Sequence, residues 1–282
     1  MRVGIDIGGT FTDFVIYDEN SEQFTTHKIL STPHDPSEAV LVGLEELSAA
    51  RAPLAGAHII HGSTVATNAL LERKGAVTAL ITTEGFRDIL EIARGNRPDF
   101  FNLHYKKPKP FVARYLRQEL PGRMTYRGEE MTPLDLSGLP AILEGFKAEG
   151  VAAIAVCFLH SYANPSHEQA AVAEIGRLWP EISVVSSHQI TREWREYERT
   201  NTAVLSAYVQ PIAERYLTRL NDGLSGRGFK GSPYIMQSNC GVDSLESVSR
   251  IPITRVESGP ASGIWGAAEL GKLIDEPNIL AL

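Results

Sequence analysis

The chain has 282 residues and a formal net charge of −7, with 43% hydrophobic and 22% charged residues. This is the balance of a globular enzyme with a substantial core, and the length suggests two domains. An acidic chain without a basic run argues against nucleic acid or an anionic membrane as partner, and with no signal-peptide pattern and no run of about 20 apolar residues the expected compartment is the cytoplasm.

In chain order, residues 3–7, 13–18 and 24–30 predict an antiparallel meander of three strands. Asp35 as N-cap and Pro36 in the first turn open a helix to about Ala50, with Ala39, Val40, Leu44 and Leu47 at helical spacing. His58 to His61 predicts a short strand, Thr64 to Lys74 a helix ending at Gly75, Val77 to Ile81 a strand and Phe86 to Ile92 a helix. Residues 94–111 read as a loop rich in Pro, Lys, Arg and aromatics. Leu139 to Glu149, Val151 to Phe158, Pro165 to Trp179 and Ile182 to Ser186 alternate helix and strand, as βαβ units do. Residues 195 to about 222 are helical with a kink at Pro211. Short strands at Tyr234 to Gln237 and Ile253 to Val256 precede a last helix opened by Gly259-Pro260. A turn then leads into a buried strand at Asn278 to Leu282.

The densest chemistry lies in Gly4-Ile-Asp-Ile-Gly-Gly-Thr-Phe-Thr-Asp13. Strand, tight turn and strand carry two carboxylates, two threonines and a glycine pair. Gly8 and Gly9 can adopt positive φ and let a bulky anion approach the backbone. Backbone N–H groups and the hydroxyls of Thr10 and Thr12 can donate to phosphate oxygens, and Asp6 and Asp13 can hold Mg2+ directly or through water. The plainer alternative is a hairpin whose glycines only satisfy its turn.

Three other segments carry polar groups. At 61–68, Gly62, Ser63 and Thr64 stand where a strand meets a helix N-terminus, with His61 before them and Thr67 and Asn68 in the next turn. They either cap their own helix or line an anion or carbonyl site. Arg94, Asn96 and Arg97 form a solvated loop or a two-point carboxylate or phosphate reader. Residues 192–199 are either a solvated helix face or a helix that turns Glu196 and Arg199 to an interdomain cleft. Cys157 and Cys240 make no disulfide framework, and the scattered histidines have no metal-site spacing.

The hairpin resembles the first phosphate-binding hairpin of the superfamily of actin, sugar kinases and large heat-shock chaperones. Its Gly-Gly-Thr-Phe-Thr-Asp form is similar to the hydantoinase A/5-oxoprolinase family, with acetone carboxylase-like subunits included. His61 to Gly75 resembles the next family segment, with Ser63 where Thr is more usual. Thr82 to Ile92 with Asn96-Arg-Pro98, Arg195 to Thr200, and Glu257-Ser-Gly-Pro-Ala-Ser-Gly263 follow in order; Gly95 stands where the family often has Gln.

The resemblance implies an α/β, ribonuclease-H-like nucleotide-binding lobe at 1–55 plus about 190–282, interrupted by an α/β insertion at about 56–189. ATP and Mg2+ are the implied cofactors, with Asp6 and Asp13 catalytic and metal-holding and Gly8, Gly9, Thr10 and Thr12 on the phosphates. His61, Ser63, Thr64, Asn68, Arg94, Asn96 and Arg97 would line the substrate cleft. The implied reaction is hydrolysis of a cyclic amide, of the 5-oxoproline or hydantoin type, through phosphorylation of the amide oxygen. A ketone carboxylase subunit and a non-catalytic nucleotide-binding module are the alternatives. A B-type partner subunit and oligomeric assembly are implied as well. The family's second phosphate loop would follow Leu282. The chain is therefore expected to hold half of a nucleotide site, to turn over no ATP alone, and to self-associate through its unfinished strand.

Overall fold

The computed structural model describes residues 1–50, 56–96, 99–231 and 233–281. It divides into two compact units, Met1–Lys74 with Ile212–Leu282, and Gly75–Pro211.

The first unit opens with the antiparallel meander β1 (Arg2–Ile7), β2 (Phe11–Asp18) and β3 (Gln23–Leu30). Strand periodicity puts Val3, Ile5, Ile7, Phe14 and Ile16 on one buried face. Helix α1 (Pro36–Ala50) covers that face with Val40, Leu41, Leu44 and Leu47. Asp35 caps it, accepting from the Ser37 N–H at 3.1 Å and the Ser37 hydroxyl at 2.6 Å. Gly43 lets α1 settle onto the Phe14 ring, which a Cβ would overlap. Gly43→Ala is expected to destabilise the protein by about 1–3 kcal/mol, outweighing the gain in helix propensity. An undiminished thermal midpoint would contradict this packing. β4 (His58–Ser63) then pairs parallel to β1, and the short α2 (Val65–Leu71) follows.

The second unit is built on β5 (Thr78–Thr83), followed by α3 (Ile89–Ile92), a 3-10 turn at Arg114–Leu116 and β6 (Arg117–Leu120). A small hairpin, β7 (Arg123–Met124) with β8 (Glu130–Thr132), leads to α4 (Leu139–Ala148), β9 (Ala153–Cys157), α5 (Ser166–Leu178), β10 (Ser183–Ser186) and α6 (Ser187–Ile190). The sheet is parallel, in the order β10-β9-β5-β6. β5 and β9 are buried along their whole length, as strands covered on both faces must be.

Helix α7 (Glu196–Gly226) continues through Pro211, where the second unit gives way to the first. The first unit is completed by β11 (Tyr234–Met236), parallel to β4, then β12 (Val242–Ser244), α8 (Leu245–Arg250), a 3-10 turn at Pro252–Arg255 and α9 (Ser258–Ile274). Its sheet has six strands in the order β12-β11-β4-β1-β2-β3.

Several local expectations are corrected. The predicted strand at Ile253 to Val256 is the 3-10 turn: Pro252 has no N–H for a ladder, and the Thr254 hydroxyl donates to the Ile251 carbonyl at 2.8 Å. Residues 278–281 form no strand; Ile279 instead folds back against Gly271 of α9. The chain leaves the first unit at Lys74–Gly75 rather than near 55, because β4 pairs with β1. It returns at Pro211–Ile212, within a helix, rather than near 190. No helix of the described residues is long and apolar enough to cross a membrane.

Candidate functional site

In the first unit β1, β4 and β11 run parallel, and their C-terminal ends lie together. In open α/β sheets such ends are where ligands gather. Asp6 of β1 stands directly opposite Asp13 of β2, which stands opposite Lys28 of β3, and on its other side Asp6 pairs with Gly62 of β4. This row crosses four strands on the face opposite the hydrophobic core. The Lys28 ammonium meets the Asp13 carboxylate at 2.9 Å and lies 5.0 Å from the centre of the Phe11 ring. A Cβ on Gly62 would stand 3.4 Å from Asp6 Oδ1, so the carboxylate lies against β4 at this point. Partial burial, and then the neighbouring Asp13 charge, hold the Asp6 carboxyl above the usual carboxylate range. A divalent cation would relieve both penalties, and carboxylate oxygens are the hard donors that Mg2+ takes.

The turn between the strands is closed by the Gly8 N–H donating to the Phe11 carbonyl at 2.9 Å. Neither Gly8 nor Gly9 takes positive φ, which corrects the expectation from sequence. What Gly9 supplies is space: nothing lies within 4 Å of the position its Cβ would occupy. Among the described residues the N–H groups of Gly9 and Thr10 have no backbone acceptor, and both residues are exposed. The open turn, with donors beside two carboxylates, fits an anion that carries its own cation.

Thr12 is not part of this open face. It is 0% exposed and bonds Ser31 Oγ at 3.0 Å; Ser31 in turn donates to the Gly8 carbonyl at 2.8 Å. Thr12 and Ser31 therefore brace the turn from the core side. The alternation that sends Asp13 outward sends Thr12 inward.

The 61–68 segment lies beside the hairpin, but not as a row of ligands. His61 is buried on the core face; its Nδ1 is 3.4 Å from the Ile5 carbonyl and its Nε2 bonds the Tyr216 hydroxyl. Burial, with the nearby Arg255 charge, pushes its pKa down to about 3, so it is a neutral packing residue rather than a cleft base. Ser63 is buried and accepts from the Val65 N–H at 3.3 Å. Thr64 donates to the Ile7 carbonyl at 3.1 Å and accepts from Asn68 Nδ2 at 3.2 Å. These bonds tie α2 to the end of β1, so Thr64 and Asn68 support the turn. A helix of 7 residues adds little dipole of its own.

Arg94 and Asn96 belong to the second unit and line a cleft of about 300 Å³ with Leu90, Tyr105, Lys107 and Tyr197. Arg94 is ion-paired with Glu198, and Lys107 donates to the Ile92 carbonyl at 2.7 Å. Arg97 lies outside the described residues.

Arg199 lies neither on a solvated helix face nor at a cleft; it is buried in a polar network. It reaches the Ser161 and Ser187 hydroxyls, and its Nη1 is 3.5 Å from Glu168 Oε1. Glu168 also accepts from His188 Nδ1 at 2.7 Å and from the Phe158 N–H at 2.9 Å. No sequence signal separated Glu168 from the solvated carboxylates of its helix.

These features define a two-unit α/β protein whose glycine-rich hairpin carries facing carboxylates at the ends of parallel strands. Residues 2–178 match the hydantoinase/oxoprolinase N-terminal region, and residues 199–282 match the hydantoinase/oxoprolinase domain. The chain belongs to the hydantoinase/oxoprolinase family. It is 36% identical to the caprolactamase subunit alpha of Pseudomonas jessenii over 98% of this chain and 40% of that one. The crystal structure of that organism's ATP-dependent caprolactamase superposes with a TM-score of 0.84 at 34% identity, covering 97% of this chain and 41% of that one. The 5-oxoprolinase of Saccharomyces cerevisiae is 31% identical over 94% of this chain and 23% of its own length. Nucleotide-free acetone carboxylase superposes with a TM-score of 0.86 at 25% identity, over 98% of this chain and 41% of that one. The chain thus spans well under half the length of each of these relatives.

Proposed function

We propose that this chain supplies the nucleotide-binding N-terminal part of an ATP-dependent enzyme that hydrolyses a cyclic amide of the 5-oxoproline or hydantoin type. The cross-strand pair Asp6–Asp13 beside the open turn at Gly9 carries the reading. The first unit is read as a ribonuclease-H-like lobe, because an antiparallel meander continues into parallel β4 and β11. The second unit is read as its α/β insertion. Asp6 and Asp13 would hold Mg2+, and the N–H groups of Gly9 and Thr10 would bind phosphate oxygens. ATP would supply the phosphoryl group that turns an inert amide oxygen into a leaving group. Arg94 and Asn96 remain candidates for reading the substrate, with the Glu198 pair holding the Arg94 guanidinium in place.

The superposition on acetone carboxylase favours a second reading, an ATP-dependent ketone carboxylase subunit, since the same hairpin would serve either reaction. A B-type partner subunit is proposed in both cases, on the ground that the caprolactamase relative is itself a subunit.

The test is an ATPase screen of the full polypeptide, with and without its co-purifying partner, against lactams, hydantoins and ketones with bicarbonate. Phosphate release stimulated by a lactam or hydantoin supports the hydrolase. Stimulation only by ketone with bicarbonate transfers the assignment to the carboxylase. Nucleotide binding with no stimulation by any substrate would leave a non-catalytic module.

A further inference from the structure

The segment Glu257-Ser-Gly-Pro at the start of α9 has no part in the site described so far. Unlike α2, α9 is a long helix, of 17 residues, and it packs along β4 and β11. Its entry is unusual. Glu257 precedes it in the left-handed region at φ 65, and no side chain caps the first turn. The Ala261 N–H is satisfied by the Glu257 carbonyl at 3.1 Å, and Pro260 has no N–H. The N–H groups of Ser258 and Gly259 have no backbone acceptor among the described residues.

Two buried polar side chains that flank this entry in the chain have no hydrogen-bond partner. The Ser258 hydroxyl has no hydrogen-bond partner although the residue is 1% exposed. The Arg255 guanidinium, 0% exposed, has none for Nε, Nη1 or Nη2. Its neighbours are the Tyr216 ring, 5.7 Å away, and the neutral His61, and neither returns a charge. A buried cation with no counter-charge costs several kcal/mol unless an anion comes to it.

The location links the mouth of α9 to the hairpin. The Glu257 N–H donates to Thr67 Oγ1 at 3.1 Å. A Cβ on Gly259 would stand 3.7 Å from Thr64 Cγ2, and Thr64 donates to the carbonyl of Ile7, the residue before the Gly8-Gly9 turn. Thr64 therefore has the hairpin on one side and the mouth of α9 on the other. Gly259 is partly exposed and has no side chain, so it is the way in. Glu257 has an exposed side chain, compatible with a phosphate that brings Mg2+.

We propose that the mouth of α9 is a second anion-binding element of the first unit, in which the Ser258 hydroxyl and the Ser258 and Gly259 N–H groups take the terminal phosphoryl group of the nucleotide and Arg255 stands behind as its buried counter-charge. The inference rests on the nucleotide reading of the hairpin. It gives the helix N-terminus the ligand its dipole favours.

The experiment is calorimetric titration of the full polypeptide with MgATP and with MgADP, for the native protein and for Ser258→Ala, Arg255→Gln and Asp13→Ala, with folding checked by thermal unfolding. Ser258→Ala is expected to weaken MgATP about tenfold or more, as for a lost hydrogen bond to a charged group, and to leave MgADP unchanged. Arg255→Gln should do the same; if it fails to fold, Ser258→Ala decides alone. Unaltered MgATP binding by Ser258→Ala beside a binding defect in Asp13→Ala would overturn this inference and leave the nucleotide reading standing. Equal weakening of MgATP and MgADP would overturn the assignment to the terminal phosphoryl group. A native protein that binds neither nucleotide would remove both readings.

Discussion

Asp13→Ala in the full polypeptide is expected to reduce nucleotide turnover by about a thousandfold or more, the scale of losing one preorganised charge contact in a phosphoryl-transfer site. The side chain is half exposed and its ion pair with Lys28 is a surface pair. Such a pair contributes at most about 1 kcal/mol, so the variant should fold with a nearly native thermal midpoint. Asp6→Asn should lose turnover for the same reason. It also removes a charge that partial burial, and then the neighbouring Asp13, disfavours, so its stability should match or exceed the native protein's. Phosphate release near the native rate from a folded Asp13→Ala protein would sink the assignment of the hairpin.

The largest effect on stability is expected in the second unit. Glu168→Gln removes the one charge that offsets the buried Arg199 in its network, and unpairing a buried ion pair typically costs about 3–5 kcal/mol. A thermal midpoint about 10 °C lower is expected. The pH dependence has a definite sign. Burial alone would raise the Glu168 carboxyl, but bonds from His188, Ser187 and two backbone N–H groups outweigh it and hold the group below the usual range. The folded state therefore binds its proton less readily than the unfolded chain. The stabilisation is fully present above the unfolded value of about 4.3 and is lost as pH falls through the lower folded value. Glu168→Gln should flatten that acid limb. A variant with the native midpoint and the native acid limb would show that Glu168 carries no stabilising charge.

Where sequence reading succeeded, the signal was local. The alternation of Val3, Ile5 and Ile7 with Gly4 and Asp6 is enough to place β1 and its buried face, and Asp35-Pro36 marks the start of α1. Where it failed, the deciding contact joined residues far apart in the chain. Thr12 beside a glycine pair reads as a phosphate donor, yet Ser31 claims its hydroxyl from the core side. His61 reads as a cleft residue until Tyr216 and Arg255 close over it. β6 carries charged and polar side chains at Arg117, Gln118 and Glu119, which hides a strand that pairs with β5. Arg117 is nonetheless buried, with Nη2 donating to the Val112 carbonyl at 2.8 Å and to Glu91 at 2.9 Å. Ile253, Thr254 and Val256 are β-branched and suit a strand, but Pro252 decides against one.

The order of the strands also sets a timetable for synthesis. On the ribosome, β1 to β4 emerge first and cannot finish their sheet, because β11 lies beyond the whole of the second unit. The second unit is one uninterrupted stretch, 75–211, and can condense while its own C-terminus is still being extended. Through that interval β4 presents an unpaired edge and Ile59 lacks the packing that Ile235 later helps to provide. Such an edge is a template for pairing with another nascent chain, so the yield of correctly assembled protein should depend on how quickly translation passes from Gly75 to β11.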